Sequence, residues 1–296
     1  MEHYDLIVIG GGPAGMAAGV GGHAAGLERI LLLERKPALG GILNQCIHVG
    51  FGLTYFKEEL TGTEYALRYR RLFEKTNAEA RTSAFVHRIT PEGEVTYLCS
   101  DGERTVSAEH VVVATGCRER TREMLTIPGT RPAGIFTAGL AQEMVNIHGL
   151  LPGKEVVIVG SGDIGLIMAR RMTLEGARVR AVLEIMDHLS GLRRNKVQCL
   201  DDFRIPLLLE HEAVKIIGKD RVEAVHYRDN RSGKEGEIPC DTALFSVGLI
   251  PEQDLLVDAG VQPGGRIKLS GNADYVHDLV DNVTKEAEAL GRSLAQ

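Results

Sequence analysis

Two glycine-rich stretches carry the first chemistry legible in the chain. Gly10-Gly11-Gly12-Pro13-Ala14-Gly15 and Gly160-Ser161-Gly162-Asp163-Ile164-Gly165 each follow an apolar run. The first glycine of each (Gly10, Gly160) permits a tight turn from strand to helix. The second (Gly12, Gly162) has no Cβ, so a pyrophosphate can approach the backbone. The third (Gly15, Gly165) lets the helix pack close to the sheet. The helix N-terminus then presents unpaired N–H groups and a positive dipole end to phosphate. Nineteen residues after each third glycine stands an acid, Glu34 and Glu184. At the end of the next strand such a carboxylate accepts from ribose hydroxyls. The chemistry is the binding of two dinucleotides.

The elements that must position these residues repeat as well. Residues 5–15 lie over residues 155–165 at an offset of 150 without a gap, and at the same offset Gly26 meets Gly176. Each copy reads as buried strand, glycine turn, small-residue helix and second strand, the second strands being residues 30–33 and 179–183. Strand, glycines, helix and acid found twice in register are far more specific than one glycine motif. Gly19, Gly21 and Gly22 fall inside the first helix. Each costs ~1 kcal/mol relative to Ala, so that helix is expected to be poorly formed after its first turns.

Around these units, residues 63–75 read as a helix with Leu67, Leu72 and Phe73 on its apolar side and Thr63 as N-cap. Residues 85–89, 95–98 and 105–106, with the turn Asp101-Gly102, read as a β-meander, and residues 111–113 as a separate buried strand running into Ala114-Thr115-Gly116. The second half repeats the plan, with a hairpin of residues 222–227 and 236–238 and a strand over residues 243–247 ending at Gly248. Residues 149–153, with Pro152, are the clearest linker signal. The fold class is α/β: two Rossmann-like dinucleotide-binding domains, each a parallel sheet with helices plus a β-meander.

Composition narrows the function classes. The net charge of −6 argues against nucleic acid as the main partner. Aromatic residues are 5% and Trp is absent, so a stacking platform for single strands is unpromising. No apolar run approaches the ~18 residues of a membrane span, and no export signal is visible. Cys46, Cys99, Cys117, Cys199 and Cys240 are scattered and never form a CxxC, which fits a reducing cytoplasm and no metal cluster.

The order GGGPAG, Glu34, Ala114-Thr115-Gly116, GSGDIG, Glu184, Ser246-Val247-Gly248 and Gly271-Asn272 resembles the two-dinucleotide-binding-domain flavoproteins. These are the pyridine nucleotide-disulfide oxidoreductase superfamily in its thioredoxin-reductase-sized form. Residues 39–48 (LGGILNQCIH), 114–122 (ATGCRERTR), 127–140 and 275–281 (YVHDLVD) resemble one branch more closely. That branch contains NAD(FAD)-utilising dehydrogenase subunits akin to those of opine oxidase and hydrogen cyanide synthase, and the flavoprotein encoded beside anaerobic glycerol-3-phosphate dehydrogenase-like proteins. The resemblance implies a discontinuous FAD-binding domain, residues 1–117 and 241–296, with an NAD(H)-binding domain inserted at residues 118–240. It implies that FAD uses Gly10, Gly12, Ala14, Gly15, Glu34, Gly41, Val86, Ala114, Thr115, Gly116, Gly271, Asn272 and Val280. NAD(H) would use Gly160, Gly162, Asp163, Ile164, Gly165, Glu184 and Gly248. Glu184 favours NADH, because a carboxylate repels a 2′-phosphate. Arg193 and Arg194 are the candidates for holding NADPH instead, and they read better as a solvated pair.

The resemblance further implies an FAD-dependent oxidoreductase that passes hydride between nicotinamide C4 and flavin N5. It would be the NADH-linked component of a multi-subunit dehydrogenase, its partner being a second flavoprotein subunit. The alternatives are a stand-alone reductase of a small acceptor and a shortened, non-catalytic homologue. The segment before Gly271 is about twenty residues shorter than in the branch. Arg266 and Lys268 alternate there with Ile267 and Leu269, which suits a half-exposed strand better than a buried one. The FAD domain is therefore expected to lack a strand or to have a repaired edge. No residue is a firm catalytic candidate. Cys46 reads as an inert thiol before it reads as a flavin neighbour, and so does Cys117. His277, at the opening of an expected helix over residues 276–294, reads as capping or packing before it reads as catalytic. The charged run of residues 118–122 reads as a solvated linker, with a docking surface as the alternative.

Overall fold

A computed structural model describes residues 1–295. The chain divides into two compact units, residues 1–118 with 250–296 and residues 119–249.

The first unit begins with β1 (His3–Ile9), α1 (Pro13–Ala24) and β2 (Ile30–Leu33). A 3-10 turn (Gly41–Gln45) and the short strands β3 (Val49–Phe51) and β4 (Leu60–Thr61) lead to α2 (Gly62–Phe73) and β5 (Glu79–Arg81). The meander follows as β6 (Phe85–Ile89), β7 (Glu94–Cys99) and β8 (Gly102–Val113), and β9 (Cys117–Glu119) carries the chain out. The inserted unit runs β10 (Ile135–Thr137), α3 (Ala138–Asn146), β11 (Glu155–Val159), α4 (Asp163–Leu174), β12 (Arg178–Glu184) and α5 (Arg193–Lys196). It continues through β13 (Leu207–Leu209), β14 (His211–Gly218), β15 (Val222–Asp229), β16 (Glu235–Pro239) and β17 (Thr242–Phe245). After β18 (Leu249–Pro251) the first unit is completed by α6 (Asp254–Ala259), β19 (Ile267–Leu269) and α7 (Val280–Ser293).

The first sheet has the order β5-β2-β1-β8-β7-β6, with β19 also on β8. β1 lies parallel to β2 and β8, placing Ile7 opposite Leu31 and Val111. These strands are buried on both faces, which is why they read as unbroken apolar runs. Leu6, Val8 and Leu32 pack with α1, α2 and α7, whereas Ile7, Ile9 and Leu31 pack with Val95, Tyr97 and Val106 of the meander. The inserted unit's sheet, β10-β17-β11-β12-β13, is parallel throughout, and β14-β15-β16 is its antiparallel meander.

Several expectations need correction. α1 is intact over its full 12 residues. Its glycines serve close approach between elements: a Cβ on Gly19 would sit 2.8 Å from the Phe73 ring, and one on Gly21 would sit 2.2 Å from the Glu288 carbonyl oxygen in α7. α7 answers with Gly291, whose Cβ would lie 2.1 Å from the Ala18 carbonyl oxygen. Packing of two helices backbone to backbone thus outweighs propensity. α2 is capped by Thr61, not Thr63, through a capping box with Glu64. Its buried face is Tyr65, Tyr69 and Phe73, and Leu67 is exposed. Residues 105–106 and 111–113 are one strand: β8 pairs antiparallel with β7 at its start and parallel with β1 at its end.

Residues 149–153 lie within the inserted unit, where Thr242 and Arg221 donate to the Pro152 carbonyl. The chain returns to the first unit at residue 250, not 241, because β17 pairs with β10 and β11. The shortened segment before Gly271 still adds a strand to the first sheet: β19 sets Ile267 opposite Val111 and buries it, while Lys268 and Leu269 are half-buried, as their alternation suggests. Arg266 is taken up by Glu109 at 2.6 Å. The last helix begins at Val280, four residues later than expected, because Leu279 is extended at φ −130° and ψ 130°.

Candidate functional site

The two glycine turns are built alike. A Cβ on Gly10 would sit 2.4 Å from the Ala114 carbonyl oxygen, and one on Gly160 would sit 2.1 Å from that of Ser246. Both residues have positive φ, +108° and +96°. In each unit the strand of the turn therefore touches the crossing strand, and the side chain that would separate them is missing. A Cβ on Gly15 would lie 1.8 Å from the Gly10 carbonyl oxygen, and one on Gly165 would lie 2.8 Å from that of Gly160, so both positions exclude a side chain, the first more tightly.

Above each turn the backbone is open. Gly12 is the N-cap of α1 and Gly162 that of α4, and neither helix has a side-chain cap. A Cβ on Gly12 would meet only the Gly41 Cα, at 3.8 Å, and one on Gly162 only Ser246, at 3.4 Å or more. These cradles and their N–H donors fit the pyrophosphate of a dinucleotide.

Glu34 and Glu184 end β2 and β12 beside the turns and are buried. Glu34 Oε2 accepts from Gly11 N at 2.6 Å and Oε1 from Lys36 N at 2.7 Å. Glu184 repeats both bonds, with Ser161 N at 3.0 Å and Met186 N at 3.0 Å. It also accepts from Ser161 Oγ at 2.6 Å and Ser190 Oγ at 2.8 Å. Burial pushes the Glu184 carboxyl up, but the four donors outweigh it and hold it below the usual range. Glu184 is an ionised carboxylate.

The first unit gathers the remaining residues around its turn. A Cβ on Gly271 would lie 2.6 Å from that of Ala14, and one on Gly41 would lie 2.9 Å from the Gly12 Cα. Ala84 N donates to the Glu34 carbonyl at 2.9 Å, which lays the start of β6, with Val86, beside β2. Gly116 has φ +81°, and Thr115 Oγ1 donates to the Glu252 carbonyl at 2.6 Å. Val280 opens α7, which also lacks a side-chain cap. In the inserted unit Asp163 Oδ1 accepts from Leu192 N and Asn195 Nδ2, both at 2.8 Å. Ile164 packs against the core, and the Gly248 carbonyl accepts from Arg120 N at 3.0 Å. Arg193 and Arg194 are exposed on α5.

The catalytic candidates behave differently. Cys46 is buried, its thiol pushed up to about 12 by burial, and it donates to the Ile42 carbonyl. It is no ready nucleophile. Cys117 is half-buried and accepts from Asn272 Nδ2 at 3.6 Å. The His277 side chain is 4% exposed, with Nε2 2.9 Å from Glu286 Oε2 and Nδ1 2.9 Å from the Tyr275 carbonyl. Asn272 Oδ1 accepts from His277 N at 3.0 Å. Bonds from His277 and then Tyr275 hold the Glu286 carboxyl below its ordinary value. These contacts tie residues 272–277 to α7.

The charged run at 118–122 is not simply solvated. Arg122 is 4% exposed and donates to the carbonyls of Ile127, Thr130 and Pro128, and burial lowers its pKa. Arg118 pairs with Glu252 at 3.1 Å. Sequence reasoning missed Arg122, Ser161 and Ser190. The serines had a signal: at the offset of 150 they stand where the first copy has Gly11 and Gly40. Among the described residues no group of side chains could hold a metal ion, and no helix is long and apolar enough to cross a membrane.

The family described as pyridine nucleotide-disulphide oxidoreductase matches residues 4–276. An opine oxidase subunit of Agrobacterium tumefaciens (strain Ach5) is 29% identical over 88% of this chain and 55% of that protein. An alkyl hydroperoxide reductase subunit of Staphylococcus aureus (strain MSSA476) is 24% identical over 95% of this chain and 52% of its own length. The chain thus spans about half the length of these curated relatives. The crystal structure of T. acidophilum thioredoxin reductase superposes with a TM-score of 0.79 over 100% of this chain and 98% of that one, at 22% identity, a likeness of fold. The chain belongs to the pyridine nucleotide-disulphide oxidoreductase family, whose members are FAD- and NAD(P)H-dependent oxidoreductases.

Proposed function

We propose that the first unit binds FAD and the inserted unit binds NAD(H), and that the chain is the NADH-linked flavoprotein part of a multi-subunit dehydrogenase. The observation that carries this reading is the pair of uncapped glycine turns, each beside a buried glutamate. Bound together, the two cofactors supply hydride transfer, and no side chain need act as general base for it. The protein's share is to hold them. In the FAD site Gly10, Gly12, Gly15 and Gly41 admit the pyrophosphate, and Glu34 keeps acceptor positions for the ribose. Ala14 and Gly271 close the turn on the side of α7, whose uncapped N-terminus favours negative charge. In the NAD(H) site Gly160, Gly162 and Gly165 play the same part, and the ionised Glu184 disfavours a 2′-phosphate.

The role in a larger complex rests on the relatives, two of which are named as subunits. A cytoplasmic location fits the cysteines: the thiols of Cys46, Cys199 and Cys240 are buried and raised by that burial. The same facts disfavour a dithiol reductase. The presence of β19 disfavours a relic without an FAD site.

The test is a visible spectrum of the purified protein before and after NADH under anaerobic conditions. A yellow protein bleached by NADH, and less readily by NADPH, is expected. A colourless protein that cannot be reconstituted with FAD would sink the reading. Co-purification with a second flavoprotein is the expected outcome for the role in a complex. Turnover of a small acceptor by the isolated chain at full rate counts against it.

A further inference from the structure

The two glutamates differ in one respect that the repeat makes measurable. Both accept two backbone N–H bonds from equivalent positions, Gly11 and Lys36 in the first copy and Ser161 and Met186 in the second. Only Glu184 also accepts two hydroxyls, from Ser161 and Ser190. A carboxylate offers about four acceptor sites. Glu34 therefore keeps about two for a ligand, enough for both hydroxyls of a ribose. Glu184 has three donors on Oε2 and one on Oε1, which leaves about one.

We propose that Ser190 is an affinity-determining residue of the second site: its hydroxyl occupies the position on Glu184 that a ribose hydroxyl of NAD(H) takes, and the nucleotide enters by exchange with it. The inference rests on the reading that the inserted unit binds NAD(H). Two features make Ser190, and not Ser161, the exchangeable donor. Ser161 is fully buried, and its Oγ also accepts from Ser190 N at 3.0 Å, so it is held from both sides. Ser190 is exposed, so its hydroxyl can rotate into water without a buried group losing its partner. Side-chain rotation of this kind takes ps–ns and needs no movement of the loop. The backbone of residues 190–195 stays anchored by Gly191 N on the Ser161 carbonyl and by Leu192 N on Asp163. The first copy has a corresponding backbone bond, from Gly40 N to the Gly11 carbonyl. With glycine at residue 40 in place of serine, nothing there competes for Glu34.

The test measures binding, by calorimetry and NADH fluorescence, on the whole chain with its flavin. Ser190→Ala removes the competing donor and should tighten NAD+ and NADH by about three- to tenfold, the scale of one hydrogen bond. Ser190→Thr retains a hydroxyl and should match the parent. The gain in Ser190→Ala should shrink for the NAD+ analogue whose adenosine ribose lacks its 2′-hydroxyl, because that ligand delivers one donor fewer. Equal or weaker NAD+ binding by Ser190→Ala overturns the proposal, as does an undiminished gain with the deoxy analogue. If neither protein binds NAD+, the functional reading of the inserted unit falls, and this inference falls with it.

Discussion

The turn of β1 and α1 and the turn of β11 and α4 are the same device in two settings. Their glycines make the same close approaches, and their glutamates accept the same two backbone bonds. They diverge wherever the surroundings differ. The first turn is lined by glycines, and its helix is pressed against α7. The second replaces Gly11 and Gly40 with Ser161 and Ser190, and its helix carries Arg171, paired with the C-cap residue Glu175, where α1 has Gly21. Strand, turn and acid follow from local chemistry, whereas the capacity of the acid and the packing of the helix follow from what is placed beside them.

The largest effect should come from filling either cradle. Gly12→Val and Gly162→Val add carbon at positions with negative φ and no close neighbour, so both proteins should fold. Gly12→Val should lose flavin, with affinity falling more than about 100-fold, as fits a blocked approach to the pyrophosphate. Gly162→Val should stay yellow and lose its response to NADH. A protein that loses flavin through Gly162→Val would break the assignment of the two turns.

Glu184→Gln comes next. It places an amide before four donors, with the charge-assisted bonds lost, and should cost about 2–3 kcal/mol in denaturant unfolding at neutral pH. The pH dependence has a defined sign. The folded carboxyl lies below its ordinary value of 4.5, so its stabilisation is present above that value and is lost as pH falls through the depressed one. The gap between wild type and Glu184→Gln should therefore be constant near neutrality and close in acid. A gap that widens in acid would contradict an ionised, hydrogen-bonded Glu184.

The helices set the smallest effects. Gly21→Ala drives a Cβ towards the Glu288 carbonyl oxygen and should cost about 1–3 kcal/mol, read as a lower unfolding midpoint. Arg171→Ala, at the equivalent place in α4, removes only a partly exposed ion pair and should cost less than about 0.5 kcal/mol. Equal costs would mean that α1 and α7 are not packed backbone to backbone.

Much of the candidate site was legible because it is local. The distance from Gly15 to Glu34 spans one helix and one strand, and the same distance recurs from Gly165 to Glu184. Other features were not legible because their cause lies far along the chain. The glycines of α1 look like helix breakers until Glu288 and Gly291 are beside them. The run at 118–122 looks like a solvated linker until Arg122 is buried on three carbonyls. Thr61 rather than Thr63 caps α2 because Glu64 reaches back to it, a local signal that was there to be read.

By itself the sequence determined the two phosphate turns, their acids and the α/β alternation, since each depends on a few neighbouring residues and on backbone sterics. Only the tertiary structure decided that the second unit closes at residue 249, that β19 joins the first sheet, and that Ser161 and Ser190 converge on Glu184. Those outcomes depend on strand pairing and on side chains far apart along the chain, where spacing alone does not say which groups meet.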